Sequence, residues 1–307
     1  MVSFDKFAGC IIGGAIGDAY GGQFEFVEKP HPSDKLFIWG EQKEERRYFL
    51  SDDTQLTLAT LEALLESGKI DPEGIANKFV SHYEAGKLSG LGSASLQAIQ
   101  GIRNGGHWYL VGKKGEQAAG NGSAMRIAPL AFAMQEVDRQ MLRDISRITH
   151  HHEEAYAGSL AVVLSIHSIL KNESKTYENF LKEIASQLPD TQVRDRLFTL
   201  AALNSTTSIA SVAAEFGKSG YVVESVPLAL FAFLKSREIG FEQALDEIID
   251  AGGDTDTNAS MMGQLAGAAF GLKNLPIARL EQVRSLPGFD ELEQILSRWK
   301  SSAWMLS

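Results

Sequence analysis

A chain of 307 residues with 44% hydrophobic content can bury a sizeable core, as one large domain or two average ones. A formal net charge of -10 repels a phosphate backbone, so no nucleic-acid binding is expected, and a nucleotide-like ligand would need metal ions or local amides to hold its phosphates. The single cysteine, Cys10, excludes an internal disulfide and fits a cytoplasmic location.

In chain order, the first element is an apolar run over residues 7–16. It has the length of a signal-peptide core, but only Lys6 precedes it and no cleavage site follows, so a buried helix is expected. Gly9, Gly13 and Gly17 recur along it, at a cost of about 1 kcal/mol each relative to alanine, which a closely packed helix pair would offset. Residues 35–39 and 46–50 are weak strand candidates. Apolar residues three or four apart then predict helices around Leu61, Leu64 and Leu65, around Phe180, Leu181, Ile184 and Leu188, and around Leu245, Ile248 and Ile249.

Gly120-Asn121-Gly122-Ser123 opens a helical stretch running through Met125 to Phe132, where free amides suit phosphate oxygens, although Gly-Asn-Gly is also an ordinary turn. His150-His151-His152-Glu153-Glu154 reads as a solvated helix start, because consecutive side chains diverge too far for a metal set. A di-iron bundle is excluded, since only Glu28 and His31 have its spacing and Pro30 interrupts them. Residues 259–272 are too short to span a bilayer and contain Gln264; Gly263, Gly267 and Gly271 mirror the first glycine stripe. No membrane segment is expected. With turn signals but no linker or repeat, the sequence predicts an all-α fold, one compact domain over residues 1–307 with roughly a dozen helices.

The chemistry concentrates in two short clusters. Ser51-Asp52-Asp53-Thr54 precedes the helix signal over residues 55–65, and Asp254-Thr255-Asp256-Thr257 precedes the one over 258–270. One such side chain suffices to cap a helix, whereas paired carboxylates repel one another. Divalent cations resolve the excess: Mg²⁺ and Mn²⁺ prefer carboxylate, hydroxyl and water oxygens, and four Asp with Ser and Thr hydroxyls can supply two ions. Asp254 and Asp256, two apart, must act from the preceding loop or the first turn, and Gly252-Gly253 gives that loop its freedom.

Five ordered motifs together carry a resemblance: Gly17-Asp18-Ala19-Tyr20-Gly21 with Glu25 after it, Ser51-Asp52-Asp53-Thr54, Gly120-Asn121-Gly122-Ser123-Ala124-Met125-Arg126, Thr149-His150, and Gly253-Asp254-Thr255-Asp256-Thr257-Asn258. The chain resembles the ADP-ribosylglycohydrolase family nearly end to end. The resemblance implies an all-α fold and two Mg²⁺ or Mn²⁺ ions ligated by Ser51, Asp52, Asp53, Asp254, Asp256 and Thr257. It further implies catalysis by Glu25, contact of Gly120, Asn121, Gly122, Ser123 and His150 with ADP-ribose, and an ADP-ribosylated protein or ADP-ribose conjugate as substrate. Where arginine-specific bacterial relatives carry Asp-Ile-Gly-x-Thr, this chain reads Gly90-Leu91-Gly92-Ser93-Ala94, without the aspartate. Serine-linked, O-acetylated and polymeric ADP-ribose are the open alternatives. Two other classes share these features: a metal-dependent nucleotide phosphohydrolase, and a silent ADP-ribose-binding or structural relative.

Overall fold

The structure, a computed structural model, describes residues 3–25, 48–171, 176–204 and 206–306. Seventeen α-helices occur among the described residues. The first six are α1 (Phe4–Gly21), α2 (Asp52–Ser67), α3 (Pro72–Glu84), α4 (Ser93–Arg103), α5 (Trp108–Val111) and α6 (Ala128–Ala133). Then come α7 (Arg139–Arg147), α8 (Glu153–Leu170), α9 (Tyr177–Ser186), α10 (Gln192–Ala201), α11 (Ile209–Phe216) and α12 (Val222–Ile239). The last are α13 (Phe241–Ala251), α14 (Thr255–Phe270), α15 (Ile277–Arg284), α16 (Phe289–Lys300) and α17 (Ala303–Leu306). The excess over a dozen comes from pieces such as α5, α6 and α17, too short to show a helical period.

No strand forms among the described residues; two isolated bridges, Lys113 with His150 and Gly120 with Tyr221, are the nearest approach. Residues 48–50 are not a strand, while residues 35–39, the rest of 46–50, and Glu28 to His31 lie outside the described residues. Among the described residues no helix is long and apolar enough to cross a membrane.

The glycine stripes account for the centre of the fold. Helices α1 and α14 lie antiparallel and nearly backbone to backbone: a Cβ on Gly9 would fall 2.4 Å from Gly267 O, on Gly13 2.2 Å from Gly263 O, on Gly17 2.1 Å from Ala259 O, and on Gly21 2.3 Å from Thr255 O. Each step of four residues along one helix meets a step of four along the other, so only hydrogen fits at these positions. The register ends where Thr255 Oγ1 donates to Gly21 O at 2.8 Å. It therefore delivers the end of α1 to the start of α14. One apolar core runs through both and reaches the C-terminal helices, where the Phe7 ring stacks on Trp299 at 4.7 Å.

Helix starts differ from the periodicity by three residues. Helix α2 begins at Asp52 and α14 at Thr255, so Asp52, Asp53 and Asp256 sit inside first turns. The positive end of a helix dipole accommodates them there, which apolar spacing cannot register. Helix α6 shows the opposite error: residues 121–126 form turns and the helix starts at Ala128, with Pro129 in its first turn.

Candidate metal and substrate site

At the start of α2, Ser51 is the N-cap, its Oγ accepting from the Asp53 amide at 3.3 Å. The turn is pinned from behind by Asp18, in the last turn of α1. Fully buried, its carboxylate accepts from the Ser51 amide at 3.0 Å, the Thr54 amide at 3.2 Å and Thr54 Oγ1. Burial pushes the Asp18 carboxyl up to about 6, against the pull of the hydrogen bonds from Thr54 and Ser51. The sequence reading did not single out Asp18 as a site residue. The available signal was one carboxylate inside an otherwise apolar, glycine-rich helix, where an unpaired charge would be expensive.

The two Asp clusters meet. Thr257 Oγ1, on α14, donates to Asp53 Oδ2, on α2, at 3.1 Å across 204 positions of sequence. Carboxylate oxygens of Asp18, Asp53 and Asp256 lie within 4.8 Å of one another, as do those of Glu25, Asp254 and Asp256. Asp256 belongs to both groups.

The electrostatics of this floor are costly. Burial, then the charge of Asp18, raises Asp52 to about 8, partly offset by the Gly92 amide. Asp53 is raised well above the carboxylate range by burial and by Asp256, and Asp256 to about 10 by burial and by Asp254. Among the described residues, the buried Asp53 Oδ1 has no hydrogen-bond partner. Glu25 is also raised, by burial and then by Asp254. Half-buried in the cleft beside Asp254 and Asp256, it is not a solvated surface glutamate.

The turn before α14 rests on the loop over residues 217–220. Lys218 O accepts from the Asp254 amide at 3.0 Å and from Asn258 Nδ2 at 2.9 Å. Gly253 has φ 87° and a Cβ there would lie 2.2 Å from Lys218 O, so this position needs glycine twice over. Glu224 holds the loop in turn, accepting from the Lys218 and Ser219 amides at 3.0 and 2.9 Å. From the same loop Gly220 O accepts the Asn121 amide at 3.0 Å, while Asn121 Nδ2 donates to Asp254 Oδ2 at 2.8 Å. One loop thus aligns the acidic turn with the Gly120-Asn121-Gly122 segment.

Between these elements lies a cleft of about 250 Å³. Glu25, Asp52, Asp254, Asp256 and Thr257 line one part of it; Gly120, Asn121, Gly122 and His150 line another. Ser51 and Asp53 lie beneath the floor, buried. The two glycines make room for His150: a Cβ on Gly122 would fall 2.8 Å from its Cε1, and one on Gly120 3.1 Å from its Nε2. Gly90 and residues 92–95 complete the wall, with Gly90 at φ 79° and its would-be Cβ 3.5 Å from Asp52 Oδ1.

Ser123 does not line the cleft. With no exposure, its Oγ donates to Ala155 O and accepts from Ser146 and Ser159 Oγ at 3.0 Å, because the turn over 121–126 directs it inward. The histidine run divides as its spacing requires. His150 enters the cleft, His152 Nδ1 caps α8 by accepting from the Glu154 amide at 3.1 Å, Glu153 pairs with Arg143, and Glu154 accepts from the Gln192 and Val193 amides.

The family model of the ADP-ribosylglycohydrolases matches residues 2–305. The chain belongs to the ADP-ribosylglycohydrolase family. Among similar proteins, the ADP-ribosylhydrolase ARH3 of Homo sapiens is 25% identical over 96% of this chain and 94% of its own length. The ADP-ribosylarginine hydrolase Tri1 of Pseudomonas putida is 27% identical, over 96% of this chain and 78% of its own length. The solved structure of an ADP-ribosylglycohydrolase-related protein complex superposes with TM-score 0.67 at 27% identity, covering 96% of each chain. This ADP-ribosylglycohydrolase therefore shares the all-α fold of its solved relative.

Proposed function

We propose that the chain acts as one domain that hydrolyses the glycosidic bond of an ADP-ribosyl group, on a protein or a small conjugate, with two divalent cations, Mg²⁺ or Mn²⁺. The observation that carries this reading is the meeting of the acidic clusters at Thr257 and Asp53 on the floor of a cleft that Glu25, Gly120, Asn121, Gly122 and His150 also line. The activities of the relatives support the substrate class, and the apolar core that runs from Phe7 to Trp299 among the described residues supports one domain.

The donors fit the ions. All are oxygens, the preference of hard cations, and the buried Asp53 Oδ1 has no partner among the described residues. Ser51, Asp52, Asp53, Asp254, Asp256 and Thr257 would hold them, with Asp18 bracing the α2 turn. Bound there, such ions supply Lewis acidity and a water of lowered pKa.

The remaining work falls to the chain. Cleavage at ribose C1 builds positive charge on the sugar ring and needs a water relieved of its proton. Glu25, which lies beside Asp254 and Asp256 and lines the cleft, would take that proton and return one to the departing group. Asn121 keeps Asp254 in place through its side-chain amide, and the bare glycines beside it admit ligand oxygens close to the backbone.

The test combines metal analysis with single-turnover release of ADP-ribose from serine-linked and arginine-linked peptides. Glu25→Gln is expected to keep its metal and slow release by about 10²- to 10⁴-fold. Asp256→Asn is expected to lose metal and activity together. Release of inorganic phosphate without free ADP-ribose would replace this reading with phosphohydrolysis, and no turnover of any conjugate at saturating metal would overturn it.

A further inference from the structure

We propose that Arg126 and Thr149 are positioning residues that lock His150 in its Nε2–H tautomer, making it a fixed, neutral hydrogen-bond donor to a ligand oxygen in the cleft. Only the identity of that acceptor, a sugar or phosphate oxygen of ADP-ribose, rests on the proposed function.

The three side chains form a chain of contacts that determines its own polarity. Arg126 Nη2 donates to Thr149 Oγ1 at 2.7 Å, and Thr149 Oγ1 lies 2.8 Å from His150 Nδ1. Arg126 is 1% exposed, Thr149 0% and His150 4%, so water does not compete for these contacts. A guanidinium has only donors, which makes Thr149 Oγ1 an acceptor from Arg126. The threonine hydroxyl hydrogen then needs an acceptor of its own, and the bare Nδ1 of His150 provides one. With the proton on Nδ1 instead, Arg126 and His150 would both donate to one oxygen and strand its hydrogen, at a cost typical of an unmade buried hydrogen bond. The imidazole proton therefore belongs on Nε2.

Nε2 is the edge that faces the cleft, where Gly120 and Gly122 pass close against the ring. A second proton is opposed: burial, followed by the positive charges of Arg126 and Lys113, holds His150 down to about 3. The result is a donor that adds no positive charge beside the acidic floor.

Arg126 itself is expensive. Its buried Nε and Nη1 have no partners among the described residues, its guanidinium lies 4.8 Å from the centre of the Phe79 ring, and burial draws it down to about 9. An apolar side chain would fill this space at lower cost. What an apolar residue could not do is orient the Thr149 hydroxyl, and that is the function the geometry leaves to Arg126.

Long-range ¹H–¹⁵N correlation of ¹⁵N-histidine-labelled protein, free of ligand at neutral pH, reads the tautomer, with the His150 signals assigned by their loss in His150→Gln. The lock requires a protonated Nε2 and a bare Nδ1 in the wild type and in Thr149→Ser, and a mixed population in Thr149→Val. Calorimetry with ADP-ribose is expected to show about a 5- to 10-fold weaker affinity for Thr149→Val and near wild-type affinity for Thr149→Ser. An Nδ1–H tautomer in the wild type overturns the proposal, as does a Thr149→Val spectrum identical to the wild type. Should Thr149→Val fail to fold, the wild-type tautomer decides alone. Should the tautomer be as expected while ADP-ribose does not bind, the lock stands and the ligand reading falls.

Discussion

Gly13→Ala puts two physical effects in opposition. Alanine's helix preference favours the variant by about 1 kcal/mol. Against it, the new Cβ falls 2.2 Å from Gly263 O, where a carbon–oxygen contact of this kind settles at about 3.3–3.6 Å. The helices must part by about 1 Å at the middle of their interface. Such a gap forfeits about a quarter to a half of the dispersion energy of the atoms it separates. A backbone carbonyl has no rotamer by which to escape, so the upper end of the usual overpacking cost, about 3 kcal/mol, applies. The net loss is about 2 kcal/mol. With an unfolding entropy of about 2.1 cal/mol/K per residue over 307 residues, the melting temperature falls by about 3 °C. Mn²⁺ affinity should fall as well, because Asp18 and Asp256 ride on the two helices that separate. Gly74→Ala is the control: its Cβ meets nothing nearer than Asp71 Oδ2 at 3.6 Å, so it should match or exceed wild-type stability. Thermal melts with and without Mn²⁺ measure both. If Gly13→Ala melts at or above Gly74→Ala with unchanged metal affinity, the backbone contact between α1 and α14 is not what sets this site.

The remaining predictions concern the floor and the glycine loop. Mg²⁺ or Mn²⁺ at about 100 times its dissociation constant should stabilise the fold by about 2.7 kcal/mol per independent site, read as a rise in melting temperature. Asp52 and Asp256 have folded pKa values raised to about 8 and about 10, so the metal-free fold binds more protons than the unfolded chain above the ordinary carboxylate range. Its stability contribution from these groups is full at low pH and is lost as pH rises toward those values, so added Mn²⁺ should stabilise more at about pH 8 than at about pH 5; a pH-independent gain would refute this. Gly122→Ala drives a methyl to 2.8 Å from His150 Cε1 and should weaken ADP-ribose binding about tenfold while leaving metal content intact; unchanged calorimetric affinity would show that the imidazole position is immaterial.

Much of the frame was legible because its signals are local. Glycines four apart announced a close helix pair, and Ser-Asp-Asp-Thr and Asp-Thr-Asp-Thr announced helix starts with more charge than a cap requires. Whether those starts meet depends on the antiparallel register of α1 against α14, a pairing across some 250 positions that no local period encodes. The partners of Asp18 were hidden for the same reason: the Ser51 amide it accepts from is 33 positions away. Ser123 and Arg126 were misread or passed over because the stretch after Gly120 reads as a helix. As a turn, it sends Ser123 toward Ser146 and Ser159 and places Arg126 beneath Thr149.

Capping explains Ser51, whose hydroxyl takes the Asp53 amide, but not the rest of the floor. A helix dipole favours a nearby carboxylate by about 0.3–1 kcal/mol, reaching about 2 when partly buried. Each unit by which burial and repulsion raise a carboxyl corresponds to about 1.4 kcal/mol, and Asp52 moves from 3.8 to about 8, so the cost of ionising it exceeds the dipole term several-fold. The hydrogen bond from Thr257 to Asp53 recovers little of this, since it satisfies Oδ2 and leaves Oδ1 bare. A floor built only to start two helices would need one of these carboxylates; keeping the others ionised near neutral pH requires positive charge among them. Among the described residues, Arg126 is the buried Lys or Arg side chain; it donates to Thr149 and does not line the cleft. Protons or bound cations can supply that charge, and the pH dependence of Mn²⁺ stabilisation measures the exchange of one for the other.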